Sequence, residues 1–546
     1  MTSRRCGLIR RLLFIIIGIL FIIAGVLLYI NWIDIFTRMR GKEMALSPTS
    51  PAYPNWKVSP LPLYLDVYLF NWTNPEDFYV GSKRKPKVEQ IGPYRFREKP
   101  DKVDIEWHTS NVSISFRKKS LFYFDANSSR GSLEDKITSV NTVAHTAALR
   151  AKNENIFQKL LLKKGLQLFK QGVSITKTAE EWMFKGFIHP LVNMGKIASQ
   201  FSDDFKVPYD RIGYFYTRND SAYYDGHFNM FTGADDVHKM GQIHTWNHMT
   251  HNGVFPDQCG EVKGSMGEFF PPNLTTNDTI YIYLPDLCRA IPLDYTETVK
   301  IHGVTAYKFS GGRRSIDNGT LYPETKCFCV NGKCEAYGVI NIGPCKYNSS
   351  SYTSYPHFYQ ADPSFLEAID GLKPDKEKHE FFMTLEPNGG LVMDVGGGFQ
   401  GNYLLEPIAG IPPFNNIERT FMPLMWAEER VRVSAEIAKD IALVPFIVLL
   451  GQILTGMLFA GGIILICWYP TKCITHLCHD PKKKSSLLNP LSCNRTVTLM
   501  TQQSKSNGTS VPLLDYKNGK FIQPNGIVKD SLLNNTLSVQ NDVIIR

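Results

Sequence analysis

Two stretches of this chain carry no charge, and the long segment between them alternates apolar with polar positions. From Leu12 to Ile30 nineteen residues run without Lys, Arg, Asp or Glu. At 1.5 Å per residue a helix of that length covers roughly 28 Å, about one hydrocarbon thickness. Ile441 to Tyr469 forms a second uncharged run of 29 residues, with Pro445, Gln452 and several glycines of the kind spanning helices tolerate. A cleaved signal peptide would have a shorter apolar core ending at small residues. The first run ends instead in Tyr-Ile-Asn-Trp, so it reads as a retained signal-anchor. No third run of this kind occurs, and the mean hydropathy is slightly negative, which excludes a many-span transporter.

Between the runs the pattern has period two in short bursts. Leu63, Leu65, Val67 and Leu69 alternate, as do Val112, Ile114 and Phe116, and IYIYL at 280–284 and TAYKF at 305–309 read the same way. Turn signals such as Gly92-Pro93 interrupt them. Residues 132–200 change character: Leu133 to Leu149 lacks Pro and Gly, Ile156, Leu160, Leu161 and Leu168 recur at helical spacing, and Ser174 to Phe184 follows with Glu180 and Glu181. The expected layout is a cytosolic N-terminus (1–11), a span (12–30), an outer domain (31–440) with a helical insert near 132–200, a second span (441–469) and a Ser/Asn/Thr-rich, disordered cytosolic tail (470–546). The fold class is a β-rich α+β outer domain.

Charge placement orients the hairpin. The net charge is +9, but Arg4, Arg5, Arg10 and Arg11 at one end and Lys472, Lys482, Lys483 and Lys484 beyond the second span carry most of it. The stretch from Leu12 to Tyr469 is nearly neutral. Bases before the first span and after the second put both ends in the cytosol, and the neutral middle argues against a nucleic-acid binder. The exception inside the outer domain is Lys152 to Lys185, with seven Lys against three Glu: a solvated helical face or a site for anionic ligands.

Eight N-glycosylation sequons, at Asn71, Asn111, Asn127, Asn219, Asn273, Asn277, Asn318 and Asn348, all fall between the spans. Those at Asn494, Asn507 and Asn534 lie in the tail and are expected to stay bare. Six of the eleven cysteines (Cys259, Cys288, Cys327, Cys329, Cys334 and Cys345) also lie outside and read as three disulfides, with 15 pairings possible. Cys6, Cys467, Cys473 and Cys478 sit by the inner membrane face beside bases, where reversible palmitoylation is expected; Cys493 is farther out, and a simple thiol is equally consistent there.

Catalytic patterns fail on inspection. Gly396, Gly398 and Gly401 match G-x-G-x-x-G, but Glu406-Pro407 leaves no helix to follow them. His244, His248 and His251 have i, i+4, i+7 spacing without the Glu of a zincin. No nucleophile elbow occurs. The expectation is no enzyme, no metal site and no cofactor.

Several local sequences, in order and with two flanking spans, resemble the class B scavenger receptor family, which includes the fatty-acid translocase and lysosomal integral membrane protein types. They are Cys6-Gly-Leu-Ile, Ile91-Gly-Pro-Tyr-Arg-Phe-Arg, Phe269-Phe-Pro-Pro, Cys288-Arg-Ala-Ile, Lys326-Cys-Phe-Cys, the run from Tyr355-Pro-His-Phe through Ile369-Asp-Gly-Leu-Lys-Pro to Leu385-Glu-Pro, and Pro423-Leu-Met-Trp. The resemblance implies the pairs Cys259–Cys327, Cys288–Cys345 and Cys329–Cys334. It also implies an antiparallel β-barrel core, a membrane-distal helical bundle, and a hydrophobic tunnel from near that apex to the bilayer. Lys159, Lys163, Lys164 and Lys170 map to the apex, where the family binds modified lipoproteins, anionic lipids or protein ligands; Cys6, Cys467 and Cys473 resemble its acylated cysteines.

The tail is longer than the family's short tails, and Leu487-Leu488, Leu513-Leu514 and Leu532-Leu533 lack the acid of an acidic dileucine. That favours the plasma membrane over endosomes or lysosomes. The expected function is a surface receptor for lipids, lipoproteins or lipid-exposing particles, with tunnel transfer and room for a homo-oligomer. The alternatives are an endolysosomal trafficking or adhesion receptor that binds a protein at the apex, with His145 or His189 sensing acid, and a chemosensory lipid-handling protein.

Overall fold

The computed structural model describes residues 2–59, 62–79, 82, 84–198, 209–332 and 334–479; for 2–11, 40, 42–44, 197–198, 331 and 468–479 only the course of the backbone is described. By its internal contacts the chain divides into a unit of Met1–Thr471 and a stretch Lys472–Arg546. The tail from 480 on, with Cys493, Asn494, Asn507, Asn534 and the disorder expected of it, lies outside the described residues, as do the side chains of Cys6, Cys473 and Cys478.

Both apolar runs are helices longer than the runs themselves: α1 (Thr2–Met44) and, at the other end, α8 (Ala435–His479). Their apolar windows, Leu12–Met39 and Ala435–Cys467, are long enough to cross a bilayer. The pair packs through small residues. A methyl on Gly25 would lie 2.8 Å from the backbone N of Phe459, so only Gly lets the helices approach this closely. The Trp32 indole donates to the Val448 carbonyl at 2.9 Å, tying the outer ends together.

Sixteen strands lie between. In chain order they are β1 (Leu63–Trp72), β2 (Val88–His108), β3 (Ser113–Phe124), β4 (Lys136–Val140), β5 (Ser174–Thr178), β6 (His227–Phe231), β7 (Ile243–Trp246), β8 (Thr279–Leu284), β9 (Arg289–Ile301), β10 (Val304–Ser310), β11 (Ile340–Asn341), β12 (Ser351–Ser354), β13 (Phe382–Glu386), β14 (Leu391–Gly396), β15 (Gly398–Leu405) and β16 (Thr420–Arg432). Fourteen of them form one antiparallel sheet in the order β7-β6-β3-β2-β1-β16-β14-β13-β10-β9-β8, with β15, β12 and β11 branching from β16. The segment Gly264–Ser265 hydrogen-bonds to both outermost strands: Ile243 N–H donates to the Gly264 carbonyl at 2.8 Å, and Ser265 N–H donates to the Tyr281 carbonyl at 2.8 Å.

The alternation at 63–70 is β1, with Val67, Leu69 and Phe70 all buried because the strand is covered on both faces. Gly92-Pro93 is not a turn. It lies inside β2, where the register slips between Val67 and Leu69 and Gly92 takes φ +126°, a bulge that Gly alone adopts without strain.

The insert at 132–200 is less helical than its composition suggests. Ile137–Val140 and Ser174–Thr178 pair as the two-stranded sheet β4–β5, because β-branched Ile and Thr alternate there with polar residues. Four helical pieces accompany it: α3 (Thr142–Ala151), α4 (Ile156–Leu168), a π-helical turn at Glu181–Lys185 and α5 (Pro190–Ala198). The remaining short helices are α2 (Ala52–Lys57), α6 (Pro363–Glu367) and α7 (Lys376–His379). Ala144, Ala148, Leu166 and Leu191 of the insert share one core with Leu405, Phe414, Phe421 and Met422. β16 therefore starts against the helical cluster and leads directly to α8 at its other end. Its 13 residues span about 40 Å, which sets the helices far from the membrane.

The cysteines pair as Cys259–Cys327, Cys288–Cys345 and Cys329–Cys334.

Candidate functional site

The apolar stripe of α4 is the first surprise of the helical cluster. Asn155 starts the helix with a capping box: its side chain accepts from Gln158 N–H, and the Gln158 side chain accepts from Asn155 N–H. Residues Ile156, Leu160, Leu161 and Leu168, whose spacing would ordinarily mark a core face, point away from the protein. Ile156 is 86% exposed and Leu168 75%, with Phe157 and Phe169 beside them. The helix is seated by Leu162, Gly165 and Leu166. Gly165 is the reason this side packs, because a methyl there would come within 3.1 Å of Met194 Cε on α5.

Lys159 and Lys163 run along one flank of that stripe, Lys164 falls within it, and Lys170 follows the helix. Lys164 and Lys170 are exposed; Lys159 and Lys163 are half-buried along the flank. The acids of the segment serve other lysines: Lys177 pairs with Glu181 and Lys185 with Glu180. The four lysines on and after α4 make no ion pair among the described residues. The result is an exposed apolar helix face with one basic flank and Lys164 set within it, a mix of apolar and basic side chains suited to a lipid interface.

The histidines beneath α4 do not titrate near neutrality. His145 is fully buried, its ring between the Tyr403 hydroxyl at 3.1 Å and the Glu406 carbonyl at 2.9 Å. Burial pulls it down to about 4. His189 is buried and pulled down to about 4 in the same way, with Lys177 adding to the effect. Burial thus opposes protonation of both rings while the protein stays folded.

His244, His248 and His251 do not converge. β7 ends at Trp246 and the chain turns, so His244 packs on Phe231, His248 stacks on His227, and His251 meets the Asp257 carbonyl. Among the described residues no group of three or more His, Cys, Asp or Glu could hold a metal ion.

The sheet also carries a charged cluster. Lys118 of β3 is half-buried and lies in the field of Asp225, Glu268, Glu429 and Glu98. Burial disfavours its charge, but the four carboxylates win and raise its pKa. Glu429 of β16 is exposed, and the neighbouring Glu98 carboxylate raises its pKa. Nearby, Arg218 meets Asp286 at 3.1 Å, Lys346 meets it at 3.0 Å, and the Tyr224 hydroxyl donates to it at 2.7 Å. At the membrane end a cleft of about 100 Å³ opens between the spans and the sheet, lined by Ile33, Phe36, Val448, Val237 and Met240.

The sequons differ in what the fold does with them. Asn111, Asn127, Asn219, Asn273, Asn277 and Asn348 are exposed and Asn71 is half-buried. Asn318 is 3% exposed, and its amide nitrogen donates to the carbonyls of Glu335 and Val339, both at 3.1 Å. A glycan on that nitrogen has no room, which corrects the expectation drawn from the motif alone. Cys467 is exposed near the end of the described part of α8.

Comparison with known proteins places this architecture. Residues 16–473 match the CD36 family model. The chain is 58% identical to Protein peste of Drosophila melanogaster in an alignment covering 100% of both chains. It is 30% identical to scavenger receptor class B member 1 of Bos taurus over 72% of this chain and 75% of that protein. Lysosome membrane protein 2 of Homo sapiens is 28% identical over 77% of this chain and 87% of its own length. The chain belongs to the CD36 family and is a two-span membrane protein.

Proposed function

We propose that this CD36-family protein is a plasma-membrane scavenger receptor, not an enzyme, that captures lipids, lipoproteins or lipid-exposing particles with α4 and passes lipid toward the bilayer. The observation that carries the reading is the outward apolar stripe of α4, with Lys159 and Lys163 on one flank and Lys164 within it. Each large apolar side chain that leaves water contributes about 1.5–3 kcal/mol when fully buried. Ile156, Phe157, Leu160, Leu161 and Leu168 together supply enough to hold the helix in a lipid monolayer, while Lys159, Lys163, Lys164 and Lys170 meet its phosphates. Gly264–Ser265, bonded to both outermost strands, supports closure of the sheet into a barrel. The cleft at Ile33, Phe36 and Val448 is the exit we assign to apolar cargo. Exposed sequons and Cys467 are consistent with a glycosylated outer domain and an acylated inner face. The neutral, buried His145 and His189 count against an acid-released protein ligand at the same site.

The test is binding of labelled phosphatidylcholine/phosphatidylserine vesicles to cells that display the full chain. Lys163→Glu with Lys164→Glu should weaken binding several-fold at low salt and less at high salt, with surface display unchanged. Vesicle binding indifferent to both the charge reversal and salt would remove α4 as the capture element.

A further inference from the structure

The start of β9 holds a buried cation that its neighbours leave underused. Arg289 is 1% exposed, and its Nε and Nη1 groups are buried and donate to no acceptor among the described residues. Its guanidinium lies flat over the Phe328 ring, 3.5 Å from the centroid, and Phe328 in turn meets Phe255 edge-on. That stack satisfies the face of the guanidinium and leaves its in-plane N–H groups unsatisfied.

The nearest anion does not complete it. Asp317 is fully buried, and its carboxylate already accepts from the N–H groups of Gly319, Leu321 and Tyr322 and from the Thr325 hydroxyl. It makes no ion pair with Arg289, although its field helps to keep the guanidinium charged against the burial that lowers its pKa to about 9. The Tyr355 hydroxyl, whose charge state is linked to Arg289, is also buried and donates to no acceptor among the described residues; its neighbour Ser315 donates its own hydroxyl to the Pro292 carbonyl. Gly311 faces that hydroxyl, and a methyl there would collide with it.

Arg289 therefore has buried donors with no acceptor, and Asp317, whose carboxylate is taken up by four other donors, offsets its charge only at a distance. A water molecule could accept from these donors, and an anion would also neutralise the charge directly. We propose that Arg289 and Tyr355 form an internal anion site for a monovalent halide or carboxylate. A planar carboxylate would take the Arg fork in bidentate fashion; a halide would sit between fork and hydroxyl. The ion comes either from the medium or as the head of a fatty acid. The site stands apart from α4 and does not depend on the capture function.

The experiment is thermal unfolding of the purified, delipidated full chain in detergent at constant ionic strength, with isethionate replaced stepwise by chloride or acetate, and separately with oleate added. A ligand that binds only the folded state raises the midpoint with its concentration. The expected result is a saturable rise that Arg289→Met abolishes and Tyr355→Phe shifts to about tenfold higher ligand concentration, the loss of one hydrogen bond to a charged partner. A rise with chloride or acetate assigns a free ion, and a rise with oleate alone assigns a fatty-acid head. Should Arg289→Met fail to fold, Tyr355→Phe still decides. A midpoint indifferent to all three ligands, or a rise that Tyr355→Phe leaves unchanged, overturns the site.

Discussion

Leu20 in α1 and Leu161 in α4 are almost equally bare, at 57% and 51% exposed, yet they report opposite situations. Around α1 the bare apolar side chains lie on several faces, with Leu13, Ile15, Leu20, Phe21 and Leu28 spread about the helix outside the side that packs on α8. On α4 they occupy one side, with Lys159 and Lys163 on its flank, Lys164 among them, and a packed side built from Leu162, Gly165 and Leu166. A helix apolar all round dissolves in hydrocarbon, whereas one apolar on a single face settles at a boundary. The two regions use one physical effect for different ends: α1 anchors the protein, and α4 offers a surface for something apolar to cover.

The comparison breaks most sharply if one change is made in both places. Leu20→Asp puts a charge at the middle of a span, at a cost of about 3 kcal/mol to insertion. Protease protection should show a large loss of correctly inserted chain. Leu161→Asp should leave the unfolding midpoint within about 0.5 kcal/mol while vesicle capture falls tenfold or more. A collapse in stability for Leu161→Asp would mean that the α4 stripe is covered within the protein itself.

A second prediction sharpens the contrast between the surface of the helical cluster and what lies beneath it. His145, His189, His357 and His379 are all buried, and burial pulls their pKa down to about 4, 4, 3 and 4. For such a base the unfolded chain binds more protons than the fold below pH 6.5, so stability falls as pH drops from 6.5 toward 4. At pH 5.5 each histidine costs about 1 kcal/mol. Denaturant melts at pH 7.4 and 5.5 should differ by several kcal/mol, and His145→Gln should shrink the difference. Vesicle capture by the folded protein should not change over that interval. Capture that switches with a midpoint near pH 6 would return the acid-sensing reading.

The smallest effect separates two sequons. Asn277→Gln should remove one glycan and shift the electrophoretic mobility with stability unaltered. Asn318→Gln should leave mobility unchanged and cost about 1–3 kcal/mol, the price of leaving the Glu335 and Val339 carbonyls without a donor. A mobility shift for Asn318→Gln would show that the buried amide is reached before folding.

The two spans, the strands at 63–70, 280–284 and 305–309, and a helix from Ile156 were legible in the chain, because periodicity follows from local backbone geometry. The orientation of α4 was not legible. A helical pattern says which residues share a face, while the choice of packed side depended on Gly165 finding Met194 of α5. Ser174–Thr178 was missed as a strand because its partner, Lys136–Val140, is an insert away. Glu429, Lys118 and Arg218 sit in unrelated segments, so no spacing could announce that their charges act on one another. Arg289 gave no signal either, since its lack of partners is a property of its neighbours.

By itself, then, the sequence determined that this protein crosses the membrane twice, that its charge lies at the ends, and which residues share each helical or strand face. Only the tertiary structure decided which face looks outward, which sequon is buried, which histidines stay neutral and where a cation is left without an anion. The first set depends on bonded neighbours along the chain and the second on contacts between residues tens to hundreds of positions apart, and burial, unlike periodicity, exists only once those contacts form.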